Sequence, residues 1–198
     1  MGHSSTEDKI VQKGISSILT ALFDPSFIET SYGFRARWVV TMPLKQVHQE
    51  ITLKRVNYII DADIKSFFDN VNHDWLAQFL EHRIKDKKFI RLIIRFLKAG
   101  IMDEGSLERG DKGTPQGGII SPILANIYLH YVRDIWFEKG LKKELQGYAS
   151  IVRYADDFII LVERESDCTL ILEALRLRLS KFKLGIIGNQ DIGSKIWS

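Results

Sequence analysis

Apolar and polar residues follow two different periods along this chain, and the pattern predicts both helices and strands. Apolar residues spaced three and four apart predict helices over about residues 7–23, 73–85, 87–99, 119–139 and 166–183. Runs rich in β-branched and aromatic residues predict strands near residues 56–62, 148–154 and 158–162. Turn residues around Gly105 and Gly110 predict a further hairpin. Strands separated by helices, with an antiparallel hairpin between them, favour an α+β fold.

Composition narrows the class of protein only a little. The 198 residues are enough for one domain with a real core, and 45% hydrophobic with 27% charged residues is an ordinary globular balance. No apolar run reaches membrane-spanning length, and the first residues lack a basic-then-apolar signal pattern. The lone Cys168 leaves no internal disulfide and fits a reducing compartment, so we expect a cytoplasmic protein without a membrane partner.

Positive charge is concentrated in one stretch although the net charge is only +3. This stretch runs from Arg83 to Lys98 and includes Lys85, Lys88 and Arg91. On a helix these basic residues would form a face that can follow the phosphates of a nucleic acid, and phosphate contacts dominate the affinity of such binding. A solvated helix face explains the same pattern equally well.

The most informative segment is an adjacent acidic pair, Asp156 and Asp157, between two predicted strands. The tip of a hairpin would present carboxylates at one spot, and hard oxygen ligands are what Mg²⁺ prefers. An acidic turn by itself indicates only a solvated loop. A metal site therefore requires a third carboxylate from elsewhere in the chain.

Residues 57–74 offer that third carboxylate. An apolar strand runs into Asp61 and Asp63, a tight turn with Asp69 follows, and Asn72 is typical of the cap of the next helix. This order presents a carboxylate at the edge of a sheet. The alternative is that the three aspartates are turn and cap residues without chemistry.

A glycine-rich segment, Gly113 to Pro122, precedes an apolar helix. Its glycines let a backbone approach a ligand closely, and Pro122 suits the start of a helix. Gln116 can offer an amide to a base pair or a sugar. Taken alone, the segment is also compatible with a plain loop before a buried helix.

Together and in this order, the segments resemble those of reverse transcriptases. Residues 61–69, 113–121 and 154–157 have the approximate spacing of the bacterial group II intron-encoded reverse transcriptase, also called a maturase. Residues 31–35 and 7–12 are similar to fingers segments of that family. Retron and defence-associated reverse transcriptases share the acidic pair and stay as alternatives, whereas the glycine-rich segment favours the intron type.

The resemblance implies a two-metal site for nucleotidyl transfer. By position, Asp63 and Asp156 would bind two Mg²⁺ ions, with Asp157 as companion acid, and Ile64 would offer its carbonyl. The residues implied to contact the incoming nucleotide are Phe68, Gln116, Gly117 and Arg35. Those implied to contact nucleic acid are Lys65, Lys85, Lys88 and Arg91. Asp61 and Asp69 match no catalytic position and are interpreted as structural.

The implied fold is the palm of a polymerase, an antiparallel sheet packed on helices, with partial fingers. The expected boundaries are residues 1–55 for the fingers, 56–187 for the palm and 188–198 for a divergent tail. The implied function is RNA-directed DNA synthesis, with an intron RNA template, a DNA primer and deoxynucleoside triphosphates, and a maturase role in the intact protein. The sequence gives no indication of oligomeric state.

Departures from the family pattern limit these expectations. The chain begins inside the fingers and ends before the thumb, so little or no activity is expected from it alone. Residues 36–43 and 188–198 do not fit the pattern, and frameshifts or ordinary divergence are the two explanations. A non-catalytic RNA-binding remnant is therefore the second function class. The β-branched residues ahead of Pro43 predict a helix that begins late, near Pro43 or Leu44, with Trp38 and Val39 irregular.

Overall fold

The protein is described here by a computed structural model that covers residues 6–35, 41–102, 112–114, 118–188 and 194–195. The chain divides into two compact units, each assembled from two separate stretches. The first, the helical unit, comprises Met1–Phe27 and Ser66–Tyr128. The second, the sheet unit, comprises Ile28–Lys65 and Leu129–Ser198.

Helices account for most of the regular structure. Within the described residues the α-helices are α1 (Thr6–Phe23), α2 (Met42–Leu53), α3 (Phe67–Asn70), α4 (His73–Glu81), α5 (Lys87–Met102), α6 (Ser121–Leu129), α7 (Ile135–Lys139) and α8 (Glu165–Ser180). A π-helix, His130–Asp134, joins α6 to α7 without a break. None of the helices in the described part of the chain is long and apolar enough to cross a bilayer.

The helical unit is held together by apolar stripes and aromatic contacts. In α1, Ile15, Leu19 and Phe23 are buried, which is the four-residue spacing of one helix face. The Phe79 ring of α4 meets Tyr128 of α6 edge to face, with 5.4 Å between ring centroids. At the start of α4, the Asn72 side-chain oxygen accepts from the backbone N–H of Trp75 at 3.0 Å, which satisfies one unpaired amide of the first turn.

The sheet unit contains one mixed sheet. Its described strands are β1 (Ser31–Tyr32), β2 (Tyr58–Ile64), β3 (Ala149–Tyr154), β4 (Asp157–Val162), β5 (Ile186–Gly188) and β6 (Ser194–Lys195). The order is β1-β3-β4-β2-β5, and β6 also pairs with β2. Only the short pairing of β1 with β3 is parallel among these strands. The predicted α+β fold with a largely antiparallel sheet is confirmed.

One face of the sheet is covered by helices. Apart from Arg153 and the half-buried Tyr58, the side chains that point to this face from the three central strands are apolar and buried: Ile60, Ala62, Ile64, Ala149, Ile151, Phe158, Ile160 and Val162. The guanidinium of Arg133 in the π-helix lies 4.0 Å from the Phe158 ring centroid, so the π-helix covers this face. Helix α8 packs against both the π-helix and the sheet.

The opposite face is partly covered by α2, at the end of β3 far from the acidic turn. Glu50 of α2 is buried and accepts from the Tyr148 hydroxyl at 3.0 Å and from the Ser150 hydroxyl at 3.1 Å. Burial, followed by the nearby Glu50 carboxylate, raises the pKa of Tyr148 to about 12. These contacts fix α2 to one end of the face and leave the other end to the aspartates.

The long helix predicted over residues 119–139 is present, but with a π-helical segment that periodicity did not predict. Widening to i→i+5 hydrogen bonds changes the residues that face inward and leaves carbonyls without their usual partners. Here the buried set includes the consecutive residues Val132, Arg133 and Asp134. Arg178 of α8 donates to the carbonyl oxygens of Val132 at 2.7 Å and Tyr131 at 3.1 Å.

Other predicted elements agree with the structure in type and differ in their ends. The helix predicted over residues 73–85 ends at Glu81, so Lys85 lies in the connection to α5 and not on a helix. Helix α2 begins at Met42, close to the predicted Pro43. Trp38 and Val39, and the hairpin predicted around Gly105 and Gly110, lie outside the described residues.

Short strands escaped prediction because two or three residues carry too little pattern. Ser31–Tyr32 pairs with the end of β3, and Ile186–Gly188 pairs with the end of β2. Within the segment expected to be a divergent tail, Ser194–Lys195 also pairs with β2, opposite Ile59 and Tyr58.

Candidate active site

The acidic pair lies at the connection between β3 and β4, as the sequence predicts. Tyr154 pairs with Asp157, so Ala155 and Asp156 form a two-residue turn. Ala155 has a φ of 57°, a left-handed conformation that costs a non-glycine residue about 1 kcal/mol or more. Its amide donates to the Tyr32 carbonyl oxygen at 3.0 Å, which helps to hold the turn in this conformation.

Gly33 lies directly against this turn. It has a φ of 86°, and a β-carbon built on it would lie 2.5 Å from the Ala155 nitrogen. Only glycine permits both the positive φ and this approach of two backbones. The segment predicted to resemble a fingers motif therefore supports the acidic turn in the sheet unit.

The pairing register brings Asp63 to the acidic turn. Strands β2 and β4 pair from Tyr58 with Val162 to Ala62 with Phe158, so the next position places Asp63 opposite Asp157. Directly opposite residues point to the same face, with β-carbons about 5 Å apart. Both lie on the face away from the π-helix, since Ala62 and Phe158 point the other way. Asp63 and Asp157 thus converge although ninety-four positions apart in sequence numbering.

Asp61 points to this same face, two residues before Asp63 on β2. It is exposed and pairs with Ile159, which makes it a diagonal neighbour of Asp157. The family resemblance gives Asp61 no catalytic position, and the two-residue period of a strand places it on the face of Asp63. The open face therefore carries three aspartates, with Asp156 beside them in the turn.

The carboxylates affect one another electrostatically. Partial burial, then Asp156, Asp63 and Asp61 in that order, raise the pKa of the Asp157 carboxyl above its usual 3.8. Asp63 Oδ1 accepts from the backbone N–H of Ile64 at 2.6 Å, which fixes the orientation of that carboxylate. Ile64 has a buried side chain at the end of β2, and its predicted carbonyl contact to a metal stays a prediction.

The chemistry of this donor set suits Mg²⁺, because carboxylate oxygens are the ligands that this ion prefers. Mutual repulsion among the aspartates is also what a divalent cation would relieve. Within the described residues, no group of three or more His, Cys, Asp or Glu side chains is arranged to hold a metal ion. The open face of the sheet therefore carries carboxylates of the kind that Mg²⁺ prefers, and they do not form a completed set of metal ligands within the described residues.

A buried ionic cluster under the turn was not predicted. Arg153 of β3 and Arg133 and Asp134 of the π-helix are fully buried, at 0% exposure. Arg153 donates to Asp134 Oδ2 at 2.9 Å, and Arg133 donates to Asp134 Oδ1 at 3.3 Å. Burial lowers the pKa of Arg133 to about 10, and Asp134 counteracts that effect. Arg133 therefore stays protonated at neutral pH.

The residues implied to contact the nucleotide lie in different parts of the chain. Phe68, in the helical unit, is half-buried, and its ring meets Phe67 edge to face at 5.4 Å. The Thr114 amide donates to the Phe68 carbonyl oxygen at 2.7 Å, which ties the start of the glycine-rich segment to Phe68. Gln116 and Gly117 lie outside the described residues.

Arg35 belongs to the sheet unit and already has partners within its own segment. Its guanidinium donates to the Ser31 carbonyl oxygen at 2.8 Å and to that of Ile28 at 3.4 Å. These bonds stabilise the chain next to β1. Contact with a nucleotide stays a prediction for this residue.

The four basic residues implied to bind nucleic acid are all exposed. Lys65 follows β2 in the sheet unit, while the other three belong to the helical unit: Lys85, Lys88 and Arg91. Arg91 donates from Nε to the Lys87 carbonyl oxygen at 3.3 Å, within its own helix. Exposure is compatible with phosphate contacts and with a solvated surface alike.

Comparison with known proteins adds a family to this geometry. The sequence pattern of the family "Reverse transcriptase (RNA-dependent DNA polymerase)" matches residues 1–188. Group II intron-encoded protein LtrA of Lactococcus lactis subsp. cremoris is 30% identical over 89% of this chain, which spans 39% of LtrA. Protein YkfC of Escherichia coli strain K12 is 30% identical over 94% of this chain, which spans 58% of YkfC.

Solved structures show the same fold at much lower identity. The apo telomerase of Candida tropicalis, truncated from its C-terminal domain, superposes with a TM-score of 0.57 at 15% identity. The match covers 93% of this chain and 41% of the telomerase chain. The palm fold implied by the sequence is thereby confirmed.

Proposed function

Because the chain belongs to the reverse transcriptase family, we propose that its sheet unit carries the acidic site of an RNA-directed DNA polymerase. The observation that carries this proposal is the register of β2 and β4, which sets Asp63 opposite Asp157 beside the turn of Asp156. The chain spans well under half of LtrA, so the activity belongs to the proposal and not to the findings.

Asp63, Asp156 and Asp157 are the residues proposed to hold two Mg²⁺ ions. When bound, such a pair stabilises charge on the attacking and leaving oxygens of an in-line phosphoryl displacement. The protein's own contribution is to hold carboxylates on one rigid sheet face, since catalysis of this kind consists largely of positioning and charge stabilisation. A bound cation would relieve the mutual repulsion of these carboxylates.

Phe68 is proposed to contact the sugar of the incoming nucleotide, where a 2′-hydroxyl would clash with its ring. The resemblance supplies this role, and the half-buried ring leaves part of its surface available. Replacing Phe68 with Ala should then raise the use of ribonucleotides relative to deoxyribonucleotides. An unchanged ratio would remove this residue from the proposal.

The template is proposed to be RNA, and intron RNA in particular. The relatives that support this include a group II intron-encoded protein, which resembles the chain over 89% of its length. The long glycine-rich segment and the residues from Phe67 to His73 favour this type over retron and defence-associated reverse transcriptases.

Primer extension on poly(rA) with oligo(dT) tests the reaction. We expect weak, Mg²⁺-dependent synthesis that falls at least about 100-fold in Asp63→Asn and in Asp156→Asn, because metal binding supplies several kcal/mol of charge stabilisation. Glu173→Gln is the matched control, since it removes one exposed carboxylate of α8 in the same unit. Equal extension by all three variants would contradict the proposal.

A non-catalytic RNA-binding protein of the same family is the second candidate. It is favoured by the finding that, within the described residues, no set of three or more His, Cys, Asp or Glu side chains is arranged to hold a metal ion. Retained binding of labelled RNA without any Mg²⁺-dependent extension would select this candidate. Template-dependent extension that requires Asp156 would exclude it.

A further inference from the structure

A side chain buried inside the sheet unit holds the turn that carries Asp156. Arg153, the fifth residue of β3, is 0% exposed, and its Nη1 donates to the Ala155 carbonyl oxygen at 2.9 Å. The bond reaches from β3 to the first residue of the turn, which is the one with positive φ. The carbonyl it holds belongs to the peptide group that leads into Asp156.

The guanidinium of Arg153 is itself held rigidly. Its Nε and Nη2 donate to Asp134 Oδ2 at 3.2 and 2.9 Å. The other oxygen of Asp134 accepts from Arg133 at 3.3 Å, and Arg133 stacks on Phe158 of β4. A planar guanidinium with several fixed donors transmits a position better than a flexible ammonium does. The turn is therefore tied to the π-helix through two side chains.

The cluster also places two guanidinium groups close to the turn. Two guanidinium groups share the Asp134 carboxylate, and Nη1 of Arg133 is buried and has no hydrogen-bond partner among the described residues. Asp156 is among the groups whose charge acts on Arg133. Attraction by these guanidinium groups would draw the Asp156 carboxylate toward the sheet and oppose its repulsion by the Asp157 carboxylate.

We infer that Arg153, fixed by Asp134, is a positioning residue that sets the conformation of the Asp156 turn for binding a divalent cation. The inference rests on the proposed function for the role given to Asp156. The buried contacts of Arg153 do not depend on that role. The inference about Arg153 and the proposed function can therefore fail separately.

Arg153→Lys is the direct test, because lysine keeps the charge and loses the planar fork of donors that reaches Asp134 through Nε and Nη2 and Ala155 through Nη1. Asp134→Asn is the second variant, since it keeps an acceptor in the cluster and removes the carboxylate that holds Arg153. Asp167→Asn is the matched control: Asp167 is buried and accepts from the amides of Gln146 and Gly147, at the opposite end of β3. Each of the three changes alters one buried charged side chain of the sheet unit.

Two measurements on ¹⁵N-labelled protein separate the possibilities. The first is hydrogen exchange at the Ala155 amide. We expect this exchange to become at least about tenfold faster in Arg153→Lys, because the turn opens locally. The exchange rate of the Ile160 amide, in the middle of β4, should change little. The second is broadening of the Asp63 and Asp156 amide signals by Mn²⁺, whose midpoint should rise about tenfold, the size of effect found for groups that orient metal ligands. Asp167→Asn should change neither.

An unchanged Ala155 exchange rate in Arg153→Lys or Asp134→Asn, with sheet protection retained, would overturn the inference. Faster exchange with an unchanged Mn²⁺ midpoint would overturn it too, because Arg153 would then be structural only. If the unmodified protein shows no Mn²⁺ broadening at Asp63 and Asp156, the proposed function fails. Faster exchange at Ala155 alone would then still support control of the turn by Arg153.

Discussion

The two faces of the sheet next to the acidic turn treat charge in opposite ways. On the helix-covered face, Asp134 is fully buried and each oxygen accepts hydrogen bonds from an arginine. On the open face, Asp61 and Asp157 are exposed, and partial burial followed by neighbouring carboxylates raises the pKa of Asp157. A single strand supplies both environments, because Arg153 and Tyr154 point to opposite sides of β3.

The difference separates structural carboxylates from those available for binding. A buried carboxylate must be satisfied within the protein, since an unpaired charge in the interior is very unfavourable. An exposed carboxylate among others of the same sign gains from an added cation. Burial and hydrogen-bond partners therefore distinguish Asp134 from Asp157. In the sequence the two look alike, because each directly precedes an apolar residue.

The largest effect is expected on the covered face. Asp134→Ala would leave Arg133 and Arg153 buried without their carboxylate, and breaking a buried pair in this way destabilises proteins by about 3–5 kcal/mol. Urea unfolding followed by circular dichroism measures the change in the free energy of unfolding. The comparison variant is Asp61→Ala on the open face, where we expect a change within about 0.5 kcal/mol. Similar losses for the two variants would remove the distinction between the faces.

Gly33 gives the next largest effect, because it supports the turn between the faces. Gly33→Ala combines a positive φ with a β-carbon 2.5 Å from the Ala155 nitrogen, and we expect a loss of about 2–3 kcal/mol. Gly14→Ala in α1 is the control, since a β-carbon there meets no atom of the described residues within 4 Å. It should stabilise the protein by about 0.5–1 kcal/mol. Thermal unfolding of both variants provides the check, and a neutral Gly33→Ala would contradict the close approach.

The open face was the more predictable of the two. The β-branched runs on both sides of Asp156 and Asp157 identify a hairpin, and the alternation of β2 assigns Asp61 and Asp63 to one face. What joins them is the register of β2 with β4, a pairing between distant segments that no local pattern contains. The family resemblance supplied that pairing indirectly, through the roles of Asp63 and Asp156.

The covered face could not have been predicted by the same means. An Arg-Asp sequence within a helix normally indicates a solvated surface, and periodicity of 3.6 residues does not predict a π-helix. Arg133 and Asp134 are buried because Arg153, nineteen positions later, completes the cluster, and because Arg178 satisfies the carbonyls of the π-helix. Both partners come from other elements, so the signal exists only in the folded protein.

Arg178 allows a smaller test of the covered face. Arg178→Met keeps much of the packing against Trp136 and Phe182 and removes the donors to the carbonyl oxygens of Tyr131 and Val132. We expect a loss of about 1–3 kcal/mol, the range for leaving partly buried acceptors unsatisfied. The control is Arg176→Met, an exposed position of the same helix, which should change stability by less than about 0.5 kcal/mol. Chemical denaturation of the two variants measures the change in the free energy of unfolding. Equal losses for Arg178→Met and Arg176→Met would show that the π-helix does not depend on Arg178.

The smallest effect belongs to the open face and has the opposite sign. Because the pKa of Asp157 is raised in the folded protein, its ionisation is less favourable there than in the unfolded chain. Its contribution to stability is therefore fully present below the usual pKa of 3.8 and is lost as the pH rises through the raised value. At neutral pH the ionised carboxylate destabilises the fold slightly.

Asp157→Asn should consequently stabilise the protein at pH 7, by less than about 1 kcal/mol because the group is exposed and its interactions are screened. The gain should disappear in acid, where Asp157 of the unmodified protein is protonated. Adding Mg²⁺ should stabilise the unmodified protein more than the variant, since the cation relieves a repulsion that the neutral amide of the variant no longer creates. Urea unfolding between acid and neutral pH, with and without Mg²⁺, measures the gain at pH 7, its loss in acid and the stabilisation by Mg²⁺. A variant that is less stable at pH 7 would mean that Asp157 has a stabilising partner on the open face, and the contrast between the faces would fail there.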